Sequence, residues 1–263
     1  MIPEVSVVIP TYKREREVVV AVESALRQRA VTLEVIVVDD SPEGTARAAV
    51  EGIGDSRVRY VKRAVPSGGV PAHVRNEGGS LARGAYIEFL DDDDHLAEGA
   101  TAALVGALER TGAGVAFGYV LPFGDDADVL ARQAAYFARS RRRAKARRTR
   151  FDMLAFLLFK ETLLVNSSCM IRRECFSEVG GYDASVLRCE DTDFYLRAMR
   201  ACGFAYIDRP AVHYRTGASS LMHDMKDNAM VEASYRVIHA KYIKAHGAAE
   251  FYAMKAFAKA LRG

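Results

Sequence analysis

The sequence has few cysteines, no long apolar run and no basic leader, and each shortage closes off a class of protein. Four cysteines occur in 263 residues: Cys169, Cys175, Cys189 and Cys202. None forms a Cys-x-x-Cys pair and no histidine stands at metal-ligand spacing from them. Neither a zinc site nor a disulfide framework is therefore expected, and a reducing compartment fits best. The longest apolar patches, Met153 to Phe159 and Leu163 to Val165, fall far short of the roughly 20 residues that a membrane-spanning helix needs. Met1-Ile2-Pro3-Glu4 runs directly into a strand-like segment without a basic n-region or an apolar h-region, which argues against a secretory signal. Together these readings predict a cytoplasmic protein.

Acids are missing from one stretch. Arg139 to Arg150 carries eight cations and no anion, and removing those eight from the net charge of +3 leaves −5 on the rest of the chain. Such a strip reads as a solvated helix or mobile loop, as a peripheral contact with the anionic inner face of a membrane, or as a dock for an anionic ligand. Nucleic acid is not expected as a partner. The strip has no interleaved aromatics, no nucleic-acid-binding motif accompanies it, and the acidic remainder repels phosphate backbones.

What is present is a chain half apolar by count, enough to bury a core, whose first 120 residues alternate apolar strands with helical patterns as a βαβ sheet requires. Val5 to Pro10 reads as a buried parallel strand, Arg14 to Gln28 as a helix, and Leu33 to Val38 as a second strand ending in Asp39-Asp40. A short helix from Pro42 leads to a strand at Arg57 to Val61. Ser67-Gly68-Gly69-Val70 supplies loop residues, and Pro71 suits the first turn of a helix reaching Ala82. Ala85 to Leu90 is a further strand that stops on four aspartates, Asp91 to Asp94.

Beyond these come a strand at Val115 to Leu121, an acidic turn, the basic strip, and a strand at Leu163 to Arg172. A short helix at Glu174 to Val179, an amphipathic helix at Asp191 to Cys202 and a strand pair from Phe204 to Tyr214 broken at Pro210 follow. Two helical patterns, Asp224 to Ala245 and Ala248 to Leu261, close the chain. The predicted organisation is an α/β domain over residues 1–222, with a nucleotide-binding half at 1–121 and a second half at 122–222, and a C-terminal helical extension at 223–263.

In open parallel sheets ligands sit outside the carboxyl ends of the strands. Those ends here hold Tyr12, Asp39 and Asp40, and Asp91 to Asp94. Carboxylates crowded at one edge repel each other and call for a cation or hydrogen-bond donors. Mg²⁺ and Mn²⁺ favour such oxygens, usually through one or two protein carboxylates plus substrate phosphates. The bland counterpart is that aspartates after strands form turns or N-caps.

Six segments in order make the pattern specific: Val7-Val8-Ile9-Pro10-Thr11-Tyr12, Val35-Ile36-Val37-Val38-Asp39-Asp40-Ser41, Arg75-Asn76-Glu77-Gly78 with Ala82-Arg83-Gly84, Phe89-Leu90-Asp91-Asp92-Asp93-Asp94, Gly180-Gly181-Tyr182-Asp183 and Glu190-Asp191. The chain from residue 5 to about 220 thereby resembles the family 2 inverting glycosyltransferases of the GT-A fold. The resemblance implies a GT-A type nucleotide-binding sheet flanked by helices. It also implies a metal-dependent transfer of a sugar from a nucleotide diphosphate donor, a UDP-sugar, to a hydroxyl of a saccharide or lipid-linked saccharide.

It further implies residue roles. Asp40 accepts a hydrogen bond from uracil, Pro10 and Tyr12 line the base pocket with Thr11 between them, and Arg75 supports the acidic site or a phosphate. In the D-x-D motif, Asp91 and Asp92 lie on the nucleotide side and Asp93 binds Mn²⁺ or Mg²⁺. Asp191 is the catalytic base, with Glu190 beside it to position the acceptor; Asp193 reads as a helix-surface charge. The family's Tyr-Arg-x-His region maps onto Val212-His213-Tyr214-Arg215, which makes His213 a metal candidate, although here the histidine precedes the Tyr-Arg pair. His223 is another candidate. Lys13 and Arg14 stand where an asparagine is common, and Val70 where some relatives place a diphosphate-binding arginine.

Three other readings stay open: a non-catalytic nucleotide- or sugar-binding member of the fold, a sugar-phosphate nucleotidyltransferase, and a receiver domain. The second should carry a glycine-rich loop that Pro10-Thr11-Tyr12-Lys13-Arg14 lacks. The third should place its acidic pair after the first strand rather than the second.

Overall fold

A computed structural model describes residues 2–147, 149–159, 163–217 and 228–260. Its centre is one eight-stranded sheet in the order β3-β2-β1-β4-β7-β6-β8-β5. The first half is parallel: β1 (Val5–Thr11) lies between β2 (Leu33–Asp39) and β4 (Tyr86–Phe89), and β3 (Val58–Lys62) flanks β2. β7 (Cys169–Arg172) enters antiparallel between β4 and β6 (Val115–Phe123). β8 (Phe204–Arg215) then runs parallel to β6, and the two-residue β5 (His95–Leu96) closes the far edge.

Strand alternation decides which side each residue covers. Val7, Ile9, Val35 and Val37 point into one core with Val18 and Val22 of α1 (Glu17–Leu26) and Leu104 and Leu108 of α4 (Ala100–Thr111). Val8, Ile36 and Phe89 point into the other. There they meet α6 (Arg150–Phe159), α8 (Glu190–Cys202) and α10 (Ala248–Ala260), through residues such as Phe156, Phe194 and Met254. Both faces are covered, which is why the parallel strands read as unbroken apolar runs.

A carboxyl group of β4 is caught inside. Glu88 of β4 is fully buried and accepts a hydrogen bond from Thr101 Oγ1 at 2.8 Å. Burial without a cation pushes its carboxyl up to about 7, so it holds a proton in weakly acidic solution.

Several expectations change. The strand pair broken at Pro210 is one continuous strand, β8. Pro210 faces Tyr119 where the register with β6 slips, with Gly118 of β6 standing against the three residues 207–209 of β8. A Cβ at Gly118 would stand 2.7 Å from the carbonyl oxygen of Arg209, so the glycine lets the strands close over a proline that has no N–H to donate. The segment expected as a strand over 163–172 pairs only in β7; Asn166–Ser168 coil into a 3₁₀ turn in which Val165 N–H bonds Ser168 Oγ at 3.1 Å. Cys175 on α7 (Arg173–Val179) and Cys202 at the end of α8 are paired as a disulfide, with Cα atoms 6.3 Å apart, against the expectation that no cysteines would bridge. Among the described residues no helix is long and apolar enough to cross a membrane.

Residues 139–146 of the basic strip form the last turns of a 20-residue helix, α5 (Ala127–Ala146), capped by Asp126, whose carboxylate accepts from the N–H groups of Asp128 and Val129. α5 runs back along the sheet. Phe137 meets Tyr214, Arg141 stacks on Tyr119 with 4.0 Å to the ring centre, and Arg141 and Lys145 each reach Asp208 at 2.7 Å. Its cationic end therefore lies toward the start of β8, away from the strand ends that carry the aspartates. Two cavities of about 430 and 460 Å³ lie along it, the first lined by Lys145, Arg147, Arg150, Phe204 and Tyr206. The final helices are α9 (Asn228–His246) and α10, and α10 puts Phe251, Met254 and Ala258 into the second core.

Candidate active site

The register of the parallel strands gathers the expected residues at one edge. Thr11 is level with Asp39, while β4 stops lower, with Phe89 opposite Val8 and Leu90 N–H bonded to the Val8 carbonyl at 2.9 Å. The chain after β4 therefore crosses the end of β1, and Thr11 Oγ1 donates to Asp92 Oδ2 at 2.7 Å.

The four aspartates separate into distinct jobs. Asp94 is buried, accepts from Ser167 Oγ at 2.6 Å and from Arg215 N–H at 2.9 Å, and ties β4 to the 3₁₀ turn and to β8. Burial and the charges of Asp91 and Asp93 push its carboxyl well above the usual range, so it is held as a hydrogen-bonded structural group. Asp92 is 6% exposed and its carboxyl is pushed up to about 7 by burial, against the pull of Arg14 and Thr11. Asp93 is more open, with 20% of its side chain exposed. Arg14 Nη1 sits between these two, 3.0 Å from Asp92 Oδ1 and 2.6 Å from Asp93 Oδ2. Asp91 faces the other way, to Arg75 Nη2 at 2.7 Å.

Arg75 is the hinge of the site. It lies on α3 (Pro71–Leu81), is 5% exposed, and reaches Asp91 with Nη2 and Glu190 Oε1 with Nη1 at 2.6 Å. The next residue explains how. Asn76 accepts from Tyr182 N–H at 2.7 Å and donates to the Tyr182 carbonyl at 2.8 Å, which clamps α3 to the turn Gly180-Gly181-Tyr182 ahead of α8. Gly181, at φ +72°, leaves the space that Asn76 fills. Tyr182 in turn stacks on Phe194 of α8 and donates its hydroxyl to Asn166 at 2.6 Å. The spaced motifs are thus one physical unit that sets the first turn of α8 against the aspartate loop.

Asp191 is partly buried in that turn, beside Glu190. Burial and the Glu190 charge raise its carboxyl to about 7, with Arg75 pulling the other way. Glu190 is committed to Arg75, whereas among the described residues Asp191 accepts only from its neighbour Thr192, at 2.7 Å from the N–H. Asp193 is not a surface charge: it is buried and pairs with Arg197 at 2.8 Å.

At the other end of the edge, Asp39 closes the turn after β2, accepting from Ser41 N–H, Ala46 N–H and the Tyr60 hydroxyl. Asp40 accepts from Arg63 at 2.6 Å, from Ser67 N–H and Oγ at 2.8 and 2.9 Å, and from Gly69 N–H at 2.6 Å. Burial alone would raise its carboxyl; the Ser67 and Gly69 N–H groups and Arg63 hold it below the usual range. A uracil N–H reaching Asp40 must therefore replace one of the donors of the 67–69 loop. That loop also covers Tyr12, since a Cβ at Gly69 would stand 3.2 Å from the tyrosine ring. Pro10 is buried at the end of β1, below Tyr12.

His213 lies on β8, in register with His95 of β5 and Leu121 of β6. Among the described residues nothing joins its ring to Asp93, and no group of three or more His, Cys, Asp or Glu has the geometry of a metal cage. His223 falls outside the described residues. No pattern in the sequence marks Arg63, which comes to the edge from just after β3, or Asn166 and Ser167, which come together from the 3₁₀ turn. The carboxylates do suit a hard divalent cation. They are oxygen donors, burial raises the carboxyls of Asp92 and Asp93 above their ordinary range, and a guanidinium sits between them.

A family model, Glycosyl transferase family 2, matches residues 6–180. The chain belongs to that family. Its relatives include the succinoglycan biosynthesis protein ExoO of Rhizobium meliloti, 36% identical over 115 residues, covering 44% of this chain and 32% of the relative. A GalNAc(5)-diNAcBac-PP-undecaprenol beta-1,3-glucosyltransferase of Campylobacter jejuni is 33% identical over 105 residues, covering 39% of this chain and 34% of that protein. The match thus spans about a third of the length of these curated relatives. Among solved structures, residues 1–349 of S. aureus TarS in complex with UDP-GlcNAc superpose with a TM-score of 0.68 at 16% identity, covering 94% of this chain and 69% of that one. The sheet and its flanking helices are those of the GT-A fold.

Proposed function

We propose that this family 2 member transfers a sugar from a UDP-sugar to a hydroxyl of a saccharide, in an inverting, metal-assisted reaction, and that its acceptor is lipid-linked. The observation that carries the reading is the pairing of two acidic groups through one buried arginine. Arg75 binds Asp91 after β4 and Glu190 at the start of α8, which supports a reading in which Asp191, beside Glu190, works close to the D-x-D carboxylates. A base and a leaving-group site held on opposite sides of a gap are what a single in-line displacement requires.

In this reading Asp191 takes the acceptor hydroxyl's proton as the oxygen attacks the anomeric carbon. Glu190 stays paired with Arg75 and orients the first turn of α8. Pro10, Thr11 and Tyr12 form the wall for the base, and Asp40 reads uracil when the 67–69 loop opens. Asp93, with Asp91 or Asp92 beside it, would hold Mn²⁺ or Mg²⁺, which neutralises charge on the departing diphosphate. His213 as a further ligand would need β8 and the aspartate loop to draw together.

The acceptor class rests on the relatives' names, one of which acts on an undecaprenol diphosphate-linked saccharide. The charge on α5 supports it: Arg139 and Arg142 are exposed and meet no carboxylate among the described residues. The test is incubation with UDP-sugars and lipid-linked saccharide acceptors, with the anomeric configuration of the product read by NMR. An α-linked donor should yield a β-linked product, at a higher rate when the acceptor sits in vesicles containing anionic lipid. Retained configuration would reject the single displacement, and nucleotide binding without transfer would favour the non-catalytic reading.

A further inference from the structure

The first turn after β1 carries a feature that the proposed reaction does not use. Lys13 takes a left-handed conformation, φ +56°, and its N–H is held by Ser41 Oγ at 2.9 Å. The tight turn sends the next side chain, Arg14, across the strand ends. Its Nη1 is shared between Asp92 and Asp93, and the guanidinium occupies the gap between the two carboxylates on which a divalent ion would draw. Asp92 already receives Thr11 on its second oxygen; on the Asp93 carboxylate, Arg14 is the one cation in contact among the described residues, while Arg215 Nε reaches the Asp93 main-chain carbonyl at 3.4 Å. Arg14 remains 29% exposed, so its side chain has a way out to solvent that buried Arg75 lacks.

We infer that Arg14 is a built-in counter-cation of the acidic edge, which a divalent metal must displace from Asp93, so that this side chain sets the affinity of the chain for metal. The inference rests on the proposed metal role of Asp93. The physics is a competition for one carboxylate. Without metal, Arg14 relieves the repulsion between Asp92 and Asp93, as an ion pair on poorly solvated groups can. With metal, the guanidinium must leave Asp93 Oδ2, and the metal's apparent affinity is lowered by the fraction of molecules in which Arg14 is seated. Freed, the same cation would stand at the donor end of β1, where phosphate charge is expected.

The experiment is Mn²⁺ binding to the nucleotide-free protein, read by the loss of the free-ion electron paramagnetic resonance signal, for the wild type, Arg14→Gln, Arg14→Lys and Arg14→Gln/Asp93→Asn. Removing the competitor should tighten Mn²⁺ binding on the order of tenfold, which corresponds to about 1.4 kcal/mol. Arg14→Lys, which keeps the charge, should stay near the wild type, and the added Asp93→Asn should abolish the gain. Equal or weaker binding in Arg14→Gln than in the wild type would overturn the role of Arg14 while leaving the metal site standing. Absence of Mn²⁺ binding in all the proteins, with melting temperatures intact, would bring down the metal reading and this inference together.

Discussion

Asp191→Asn should lower kcat by about 10²- to 10⁴-fold, the usual worth of a positioned general base, and leave binding of the uridine nucleotide unchanged. Among the described residues Asp191 makes no hydrogen bond with the donor-side aspartates, and it accepts its hydrogen bonds from the adjacent Thr192. The loss should therefore fall on the chemical step. The wild-type rate should also climb with pH and reach half its plateau near 7, because burial and the Glu190 charge raise the Asp191 carboxyl to about 7 and the base works only when ionised. The Asn variant should lack that rise. Stability runs the opposite way. A carboxyl whose folded pKa lies above its unfolded one favours folding at low pH and loses that contribution as pH rises through about 7, so the variant should be no less stable than the wild type above neutrality. A variant that kept its rate while Glu190→Gln lost it would move the base to Glu190. Its ion pair with Arg75 at 2.6 Å argues against that assignment.

The second large effect belongs to Arg75→Met. The arginine is 5% exposed and neutralises two carboxylates on different elements, Asp91 after β4 and Glu190 at the start of α8. Methionine fills similar volume but leaves both acids without their cation, and breaking a buried pair this way costs about 3–5 kcal/mol. Because Asp91 keeps 32% of its side chain in solvent, the lower end is expected. For a chain of this size about 3 kcal/mol corresponds to a fall of roughly 6–12 °C in melting temperature. The kinetic signature separates positioning from general destabilisation. Arg75 also pulls the Asp191 carboxyl down, so its removal should shift the rise of the pH–rate profile to higher pH at temperatures where the variant is folded. A variant that melted lower with an unmoved profile would reduce Arg75 to a packing role. Arg75→Lys should recover part of the stability but not the two-pronged geometry, since lysine offers one point charge in place of a fork.

What could be read from the sequence was what depends on local pattern. Buried parallel strands are continuous in hydrophobicity, so β1, β2 and β4 and the acids that follow β2 and β4 stand out, and Pro71 at the first turn announces α3. The spacing of Arg75-Asn76, Gly180-Gly181-Tyr182 and Glu190-Asp191 marked the site without showing why. The structure supplies the reason in the Asn76 clamp on Tyr182. What failed to show was set by distant contacts. The continuity of β8 through Pro210 depends on the register slip opposite Gly118 of β6. The meeting of Cys175 and Cys202, 27 residues apart, depends on how α7 packs on α8. Asp193 turns inward because Arg197, one turn later, is anchored on the carbonyls of Val179 and Gly181. Arg14 appeared in the sequence as a departure from the family pattern, and only its seat between two carboxylates gives the departure a physical meaning.

The most direct measurement is calorimetric titration of uridine diphosphate, with and without Mn²⁺, on the wild type and on Asp93→Ala. A nucleotide-sugar site at the strand ends predicts binding that is strong with Mn²⁺, weak without it, and no longer improved by the metal once Asp93 is gone. Absence of uridine diphosphate binding by a folded wild-type protein at any Mn²⁺ concentration would contradict the account, leaving the GT-A fold in place and the uridine site without support.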